Sequence, residues 1–371
     1  MKILIVLNYY WPYISGLSEC ARSLAEELAK DHEVTILTAK HNKELNDKEI
    51  INGVHIIRSS ILTKISKGYI SSDFIKKFIN LQKNSDIINL HLPMMEAGLL
   101  SYLTNRKKLI VTYQCDVNLS KSVLNKLIIA FMDLSSLLSF SRARSIVVSS
   151  LDYARNSRIL PKFSEKWVEI HPTSPFYAKI ETKNHMDVNN RSIAIGFCGR
   201  IVEEKGIDVL LKAAPQIKQL LPNVEFIIAG DYKSVAGGSV YDKLKNEIGW
   251  DETYVKFVGR LDENDLINFY KSIDVFVLPS INSLEAFGMV QVEAMLSGTP
   301  VVASNLPGVR EIVNKTGMGK IVEPGDVLSL IDGIIQVINH KSDYVKENIQ
   351  IEKFFGVSSA IKKYNTIFSY T

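Results

Sequence analysis

Val275-Phe276-Val277-Leu278 runs into Pro279-Ser280-Ile281-Asn282-Ser283-Leu284-Glu285-Ala286-Phe287-Gly288-Met289-Val290-Gln291-Val292-Glu293-Ala294-Met295, and then into Gly298-Thr299-Pro300-Val301-Val302-Ala303. Four successive apolar residues suit a strand covered on both faces. The loop that follows gives way to a helix near Phe287 or Gly288. A second valine-rich strand follows Gly298-Thr299-Pro300. Strand, helix and strand in this order make a crossover unit, and such units build parallel sheets.

The same alternation extends outward in both directions. Ile- and Val-rich runs occur at Ile3–Leu7, Glu33–Thr38, Val54–Arg58, Ile87–His91, Leu109–Thr112, Ser145–Ser149 and Trp167–Ile170. They resume at Ile193–Cys198, Val224–Ala229, Val255–Val258, Val275–Leu278, Pro300–Ala303 and Gly319–Val322. Helical patterns such as Ser18–Ala29, Ile207–Leu221 and Asn264–Lys271 separate them. So many strands exceed one tidy open sheet, which predicts two doubly wound α/β domains. The first is expected over 1–171 and the second over 192–344. A proline-punctuated, polar linker covers 172–191, and a helical tail over about 345–371 breaks near Phe355-Gly356.

The 371 residues are 46% apolar and 23% charged, which fits a globular protein and excludes a disordered or collagen-like chain. Cys20, Cys115 and Cys198 lie far apart, without zinc spacing, as in a reducing compartment. The apolar opening Met1–Leu7 is too short for a signal peptide, and no stretch reads as a spanning helix. These features predict a cytoplasmic protein. Residues 1–170 hold 23 Lys and Arg against 16 Asp and Glu, a net +7, and residues 171–371 hold 21 against 24, a net −3. A basic first half suits an anionic partner, although a chance excess of surface lysine would look the same.

In open parallel sheets ligands sit beyond the carboxyl ends of strands. After the first strand, Asn8-Tyr9-Tyr10-Trp11-Pro12 leads to Gly16 ahead of a helix, a place to offer backbone N–H groups to phosphate or merely a turn. Gly199-Arg200 and Lys205-Gly206 put two cations at a strand end, suited to a pyrophosphate. Pairing with the adjacent Glu203 and Glu204 is the bland alternative. Glu285 precedes the helix near Gly288, as a dipole-favoured carboxylate or a hydroxyl acceptor. Glu293 lies among Val290, Val292, Ala294 and Met295, so it requires a polar partner or a solvated face. The N–H groups of Phe287, Gly288 and Met289 are further candidate donors.

Taken in order, the Tyr-Tyr-x-Pro…Gly opening, the Gly199-Arg200…Lys205-Gly206 turn, Phe257-Val258-Gly259, and Glu285-x-Phe287-Gly288…Glu293-Ala294 leading to Gly298-Thr299-Pro300-Val301 resemble the retaining GT-B glycosyltransferases of family 4 over nearly the whole chain. The resemblance implies two Rossmann-like domains facing across a cleft and transfer of a sugar from a UDP- or GDP-type nucleotide-sugar donor, with no metal and no cofactor. Carried over by position, Arg200 and Lys205 bind the donor diphosphate beside Gly199, Glu285 touches the sugar, and Glu293 holds the ribose. Phe287, Gly288 and Met289 supply backbone donors, Gly16 approaches the phosphates, and the tail packs back on the first domain. The implied acceptor is a glycan or a lipid-linked molecule, as in cell-surface polysaccharide assembly. No nucleic-acid partner is implied.

Two positions depart from the family pattern. Gly16-Leu17 stands where a Gly-Gly pair is usual. Gln114 stands where a histidine is common, and it can exchange hydrogen bonds with a sugar but no proton. His91 and Asp116 are assigned to the acceptor side. His91 otherwise reads as a strand-end histidine with a backbone partner. A catalytically silent sugar-nucleotide-binding or scaffold subunit is the alternative that Gln114 and Leu17 support, whereas the missing GxGxxG argues against an oxidoreductase. The apolar segment 121–144, flanked by Lys121, Lys126, Arg142 and Arg144, is expected to be a helix buried against the sheet. Its functional alternative is a peripheral contact with an anionic membrane at the inner face.

Overall fold

Runs of Ile and Val separated by amphipathic stretches fold here as two α/β units. The structure, a computed structural model, describes residues 1–65, 68–119, 122–174, 177, 192–232, 235 and 238–369. One unit is Met1–Pro175 with Val357–Thr371, and the other is Phe176–Gly356. Of the linker expected at 172–191, residues 175, 176 and 178–191 lie outside the described residues, as does Lys121.

The first unit runs β1 (Lys2–Val6), α1 (Gly16–Leu28), β2 (Glu33–Ala39), β3 (Lys48–Ile51), β4 (Val54–Ser59), the ribbon strands β5 (Thr63–Ile65) and β6 (Gly68–Ile70), α2 (Ser72–Lys83), β7 (Ile87–Leu92), α3 (Ala97–Leu103), β8 (Leu109–Tyr113), α4 (Val123–Arg142), β9 (Ser145–Val148), α5 (Leu151–Asn156) and β10 (Trp167–Glu169). Its eight-stranded sheet has the order β10-β9-β8-β7-β1-β2-β4-β3. Neighbours are parallel except β3, which pairs antiparallel with β4. The hairpin turns at Asn52 and Gly53, both at positive φ, as a two-residue turn requires. The order reverses between β1 and β7, so the loops after those strands flank the crevice where such sheets bind ligands.

Helix α4 overturns two expectations. It is long and apolar enough, by length and composition, to cross a membrane. It is also not buried against the sheet: Val123 is 78% and Leu127 64% exposed, and Leu124, Phe131, Leu134 and Leu138 are exposed as well. The side chains it buries are Ser135, Ser136, Ser139 and Phe140. The reason lies in the crossing with α3. The Gly98 N–H donates to Ser135 Oγ at 2.9 Å, and a Cβ on Gly98 would stand 3.2 Å from the Ser135 backbone. Backbones this close admit only small side chains, so the serines face inward and the leucines face out.

The second unit runs β11 (Ile193–Cys198), α6 (Ile207–Leu220), β12 (Val224–Ala229), α7 (Tyr241–Glu247), β13 (Val255–Gly259), α8 (Glu263–Ser272), β14 (Val275–Leu278), α9 (Met289–Leu296), β15 (Val301–Ser304), α10 (Val309–Thr316), β16 (Gly319–Val322), α11 (Val327–Asn339), α12 (Lys341–Tyr344) and α13 (Asn348–Phe355). All six strands are parallel, in the order β13-β12-β11-β14-β15-β16. The reversal falls between β11 and β14, the two strands whose following loops carry the cations and the glutamates. Phe197, Phe226, Ile228 and Val277 pack with Leu210, Ile217 and Ile334 in its core.

The tail divides. Helix α13 stays with the second unit: Asn348 Nδ2 donates to the Leu296 carbonyl at 2.8 Å, and Phe355 meets Phe287 edge-on with ring centres 5.9 Å apart. Only α14 (Val357–Phe368) joins the first unit, where Ala360, Tyr364, Ile367 and Phe368 enter the core with Ile3, Ile5 and Leu24. The expectation that the whole of 345–371 packs on the first domain is thereby corrected. Asn348–Phe355 carries apolar groups shaped to α9 and leaves the unit after Phe355.

Candidate active site

In the second unit, Cys198 ends β11, and Gly199, Arg200 and the short 3-10 turn Glu203–Lys205 follow it. Gly206 then enters α6 at φ 67°, and a Cβ there would lie 1.9 Å from the Pro279 carbonyl. Only glycine lets the turn after β11 approach the loop after β14 this closely. The Ile281 N–H donates to the Glu204 carbonyl at 3.0 Å, which laces the two loops together.

Across this seam Lys205 and Glu285 form an ion pair. Their side chains are only 15% and 11% exposed, so the pair sits largely out of water. The Lys205 stem passes over Gly199, with Cε 3.7 Å from where a Cβ would be. Ser280 Oγ donates to Glu285 at 3.4 Å. The bland alternative for Lys205, a surface pair with Glu203 or Glu204, does not occur. It does occur for Arg200, whose guanidinium is 44% exposed and lies 3.3 Å from Glu204.

Glu285 is followed by Phe287 and Gly288, which stands at φ 82° and brings no side chain to cap α9. The first N–H groups of α9 have no acceptor within the helix and carry its positive end. Glu293, two turns on, is buried rather than on a solvated face. Its carboxylate accepts from Tyr270 Oη at 2.9 Å. Cys198 belongs to the same cluster: burial pushes its thiol up to about 12, the Glu293 charge adds to the rise, and Tyr270 and Lys205 oppose it. Tyr270 titrates well above its ordinary range, chiefly through burial. Gly199, Lys205, Glu285 and Glu293 thus converge at the β11/β14 reversal, with Phe287, Gly288 and Met289 at its helix end. Tyr270 and Cys198 join them without having been singled out. The sequence signal for Tyr270 was its place at the end of α8 before an apolar strand, where a tyrosine hydroxyl needs a buried partner.

The first unit carries the other candidates. Gly16 opens α1 behind a capping box in which Ser15 and Ser18 satisfy each other's backbone N–H groups. Gln114 follows β8 and lines a small cleft together with Cys20 of α1, Thr173 and Tyr364. His91, the last residue but one of β7, is fully buried, and neither ring nitrogen has a hydrogen-bond partner. The backbone partner expected of a strand-end histidine is absent, and burial alone pushes its imidazole down to about 4. Asp116 is committed to structure. It accepts from Tyr113 Oη at 2.8 Å, Ser157 Oγ at 2.7 Å and the Arg158 N–H at 2.8 Å. Its own N–H donates to Tyr153 Oη at 2.7 Å. A carboxylate holding three protein donors pins the loop after β8, a structural role beyond the one expected of it. Beside the β1/β7 reversal Tyr9 stacks on Tyr13 at 4.7 Å, and Tyr69 meets Tyr9 edge-on at 6.0 Å. Burial raises the Glu96 carboxyl nearby.

Comparison with known proteins agrees with this geometry. Residues 14–159 match the family described as Glycosyltransferase Family 4, and residues 179–352 match Glycosyl transferases group 1. An uncharacterized glycosyltransferase of Methanocaldococcus jannaschii is 26% identical over 91% of this chain and 89% of its own. A phosphatidyl-myo-inositol mannosyltransferase of Mycobacterium leprae is 32% identical, over 41% of this chain and 38% of that relative's length. The capsular polysaccharide glycosyltransferase CapM of Staphylococcus aureus is 29% identical over 55% of this chain and 52% of its own. Among solved structures, sucrose-phosphate synthase from Thermosynechococcus elongatus superposes over all of both chains with a TM-score of 0.75 at 19% identity. HepE of Anabaena, solved with UDP and glucose, does so with a TM-score of 0.74 at 18% identity. With both halves matched and two Rossmann-like sheets of the GT-B fold, the chain belongs to glycosyltransferase family 4.

Proposed function

We propose that the protein is a retaining glycosyltransferase that moves a hexosyl group from a nucleoside diphosphate sugar to a glycan or lipid-linked acceptor, without a metal ion, in the assembly of a cell-surface polysaccharide or glycoconjugate. The observation that carries the reading is the Lys205–Glu285 pair at the β11/β14 reversal, beside the uncapped start of α9. Lys205 is placed to meet a diphosphate and Arg200 to swing from Glu204 onto it, offsetting charge as the phosphate leaves. Glu285, released from Lys205, accepts from the sugar hydroxyls. Glu293, oriented by Tyr270, accepts from the ribose. A phosphate oxygen of the leaving group takes the acceptor proton, so the missing histidine at Gln114 is no obstacle. On the acceptor side, the half-buried Tyr9–Tyr13 stack offers aromatic surface to a sugar ring.

UDP-bound structures of the same fold, and relatives named as mannosyltransferases, one of them GDP-mannose-dependent, make UDP and GDP sugars the donors to screen first. The protein is expected to work in the cytoplasm, at the inner face of the membrane. Thermal shift with UDP, GDP and their sugars identifies the donor, because a ligand stabilises by RT ln(1 + [L]/Kd). With that donor, Arg200→Ala and Lys205→Ala should each lower kcat by ~2–4 kcal/mol of transition-state stabilisation while the fold persists. Turnover should survive EDTA. Near-normal kinetics in both variants, or a loss in EDTA restored by Mg²⁺ or Mn²⁺, would sink the assignment.

A further inference from the structure

Helix α4 and the exposed side of α3 form an apolar face that the first unit leaves uncovered. Val123, Leu127, Phe131, Leu134 and Leu138 fall within one sector of the helix. From Val123 to Leu138 they run about 22 Å at 1.5 Å per residue. The first half of α4, Val123 to Phe131, contributes no buried residue. Leu99, Tyr102 and Leu103 of α3 are exposed beside it. Charge frames the face with one sign. Arg106, Lys107 and Arg142 gather at one end, with Arg142 over the Tyr102 ring at 5.1 Å, and Lys126 flanks the other. The one acid on α4, Asp133, is held by Arg158 at 2.7 Å.

We propose that this face docks on an anionic lipid bilayer, with α4 lying in the interface and the basic residues meeting lipid phosphates and carboxylates. Aliphatic side chains on one side of a helix, with Lys and Arg at its margins, are what an interfacial helix needs. Crossing the bilayer is a poorer fit, because Ser135, Ser136, Ser139 and Phe140 are committed to the unit's own packing. A second copy of the chain is also a poorer occupant. In a two-fold dimer the same patch meets itself, and the basic margins would face their own copies. The inference stands on this face alone and does not require the transferase reading.

The test is flotation of the full chain with vesicles of phosphatidylcholine alone and with vesicles enriched in phosphatidylglycerol. The wild-type chain should float with the anionic vesicles, far less with neutral ones, and should be released as NaCl is raised. Leu127→Glu combined with Phe131→Glu alters exposed side chains, so circular dichroism and Tm should match the parent, while vesicle binding falls by at least about tenfold. Lys107→Glu with Lys126→Glu should weaken binding to anionic vesicles only. The proposal is overturned if the parent floats with neither vesicle, if it binds both equally, or if the double-glutamate variant binds as the parent does. It is also overturned if light scattering shows a dimer that Leu127→Glu and Phe131→Glu dissociate without any vesicle binding. No outcome depends on donor or acceptor, so failure here and failure of the proposed activity remain separate.

Discussion

Lys205 and Glu285 neutralise each other. In the proposed function, a nucleoside diphosphate without its sugar takes Lys205 and leaves Glu285, largely shielded from water, with only Ser280 Oγ at 3.4 Å. Glu285→Gln should therefore bind the bare nucleoside diphosphate as well as the parent or tighter, by up to about 1 kcal/mol, while turnover of the intact donor falls. Glu293→Gln should weaken both ligands, and Tyr270→Phe should weaken both by about 1–2 kcal/mol through loss of a bond to a charged group. Isothermal titration with diphosphate and with donor separates the cases, and the reverse pattern would exchange the two glutamates' roles. His91 gives a stability test. Its folded imidazole sits at about 4, below the unfolded 6.5. Above pH 6.5 both states are neutral and the residue contributes nothing. As pH falls from 6.5 towards 4 the unfolded chain takes up a proton that the folded one refuses, so stability is lost, by about 3 kcal/mol in full. Urea unfolding at pH 7 and pH 5 should show a smaller drop in His91→Leu than in the parent.

Among elements, α14 shows how much one helix holds. Phe368 is fully buried in the first unit's core, and Arg144 Nη2 bonds the Ile367 carbonyl at 2.8 Å. Phe368→Ala should cost about 3–5 kcal/mol, read as a lower denaturation midpoint of the first unit with the second unchanged. Strands were legible in the sequence: β11, β12, β14 and β16 begin and end at the residues expected, and in β14 the fully buried run Val275–Leu278 has no polar residue to blur it. Strand β3 was not, since Lys48-Glu49-Ile50-Ile51 lies at a sheet edge with Ile50 in solvent, although Asn52-Gly53 announced its hairpin. Helix α4 misled because composition reports how apolar a helix is, and not that a close crossing at Gly98 would turn its serines inward. In the site, Lys205, Glu285 and Glu293 could be placed from spacing along the chain. The hold of Tyr113, Ser157 and Arg158 on Asp116 could not, because those donors come from separate parts of the chain.

At the scale of the molecule, the first unit is made of two pieces of chain, Met1–Pro175 and Val357–Thr371, with all of Phe176–Gly356 between them. During synthesis the eight-stranded sheet therefore emerges long before the helix that completes its core. Until α14 arrives, the places that Tyr364, Ile367 and Phe368 will fill beside Ile3, Ile5 and Leu24 stand open to water. The second unit, continuous in sequence, meets no such delay and can close while the first is still waiting. The first unit can therefore complete its core only after the whole of the second has been synthesised.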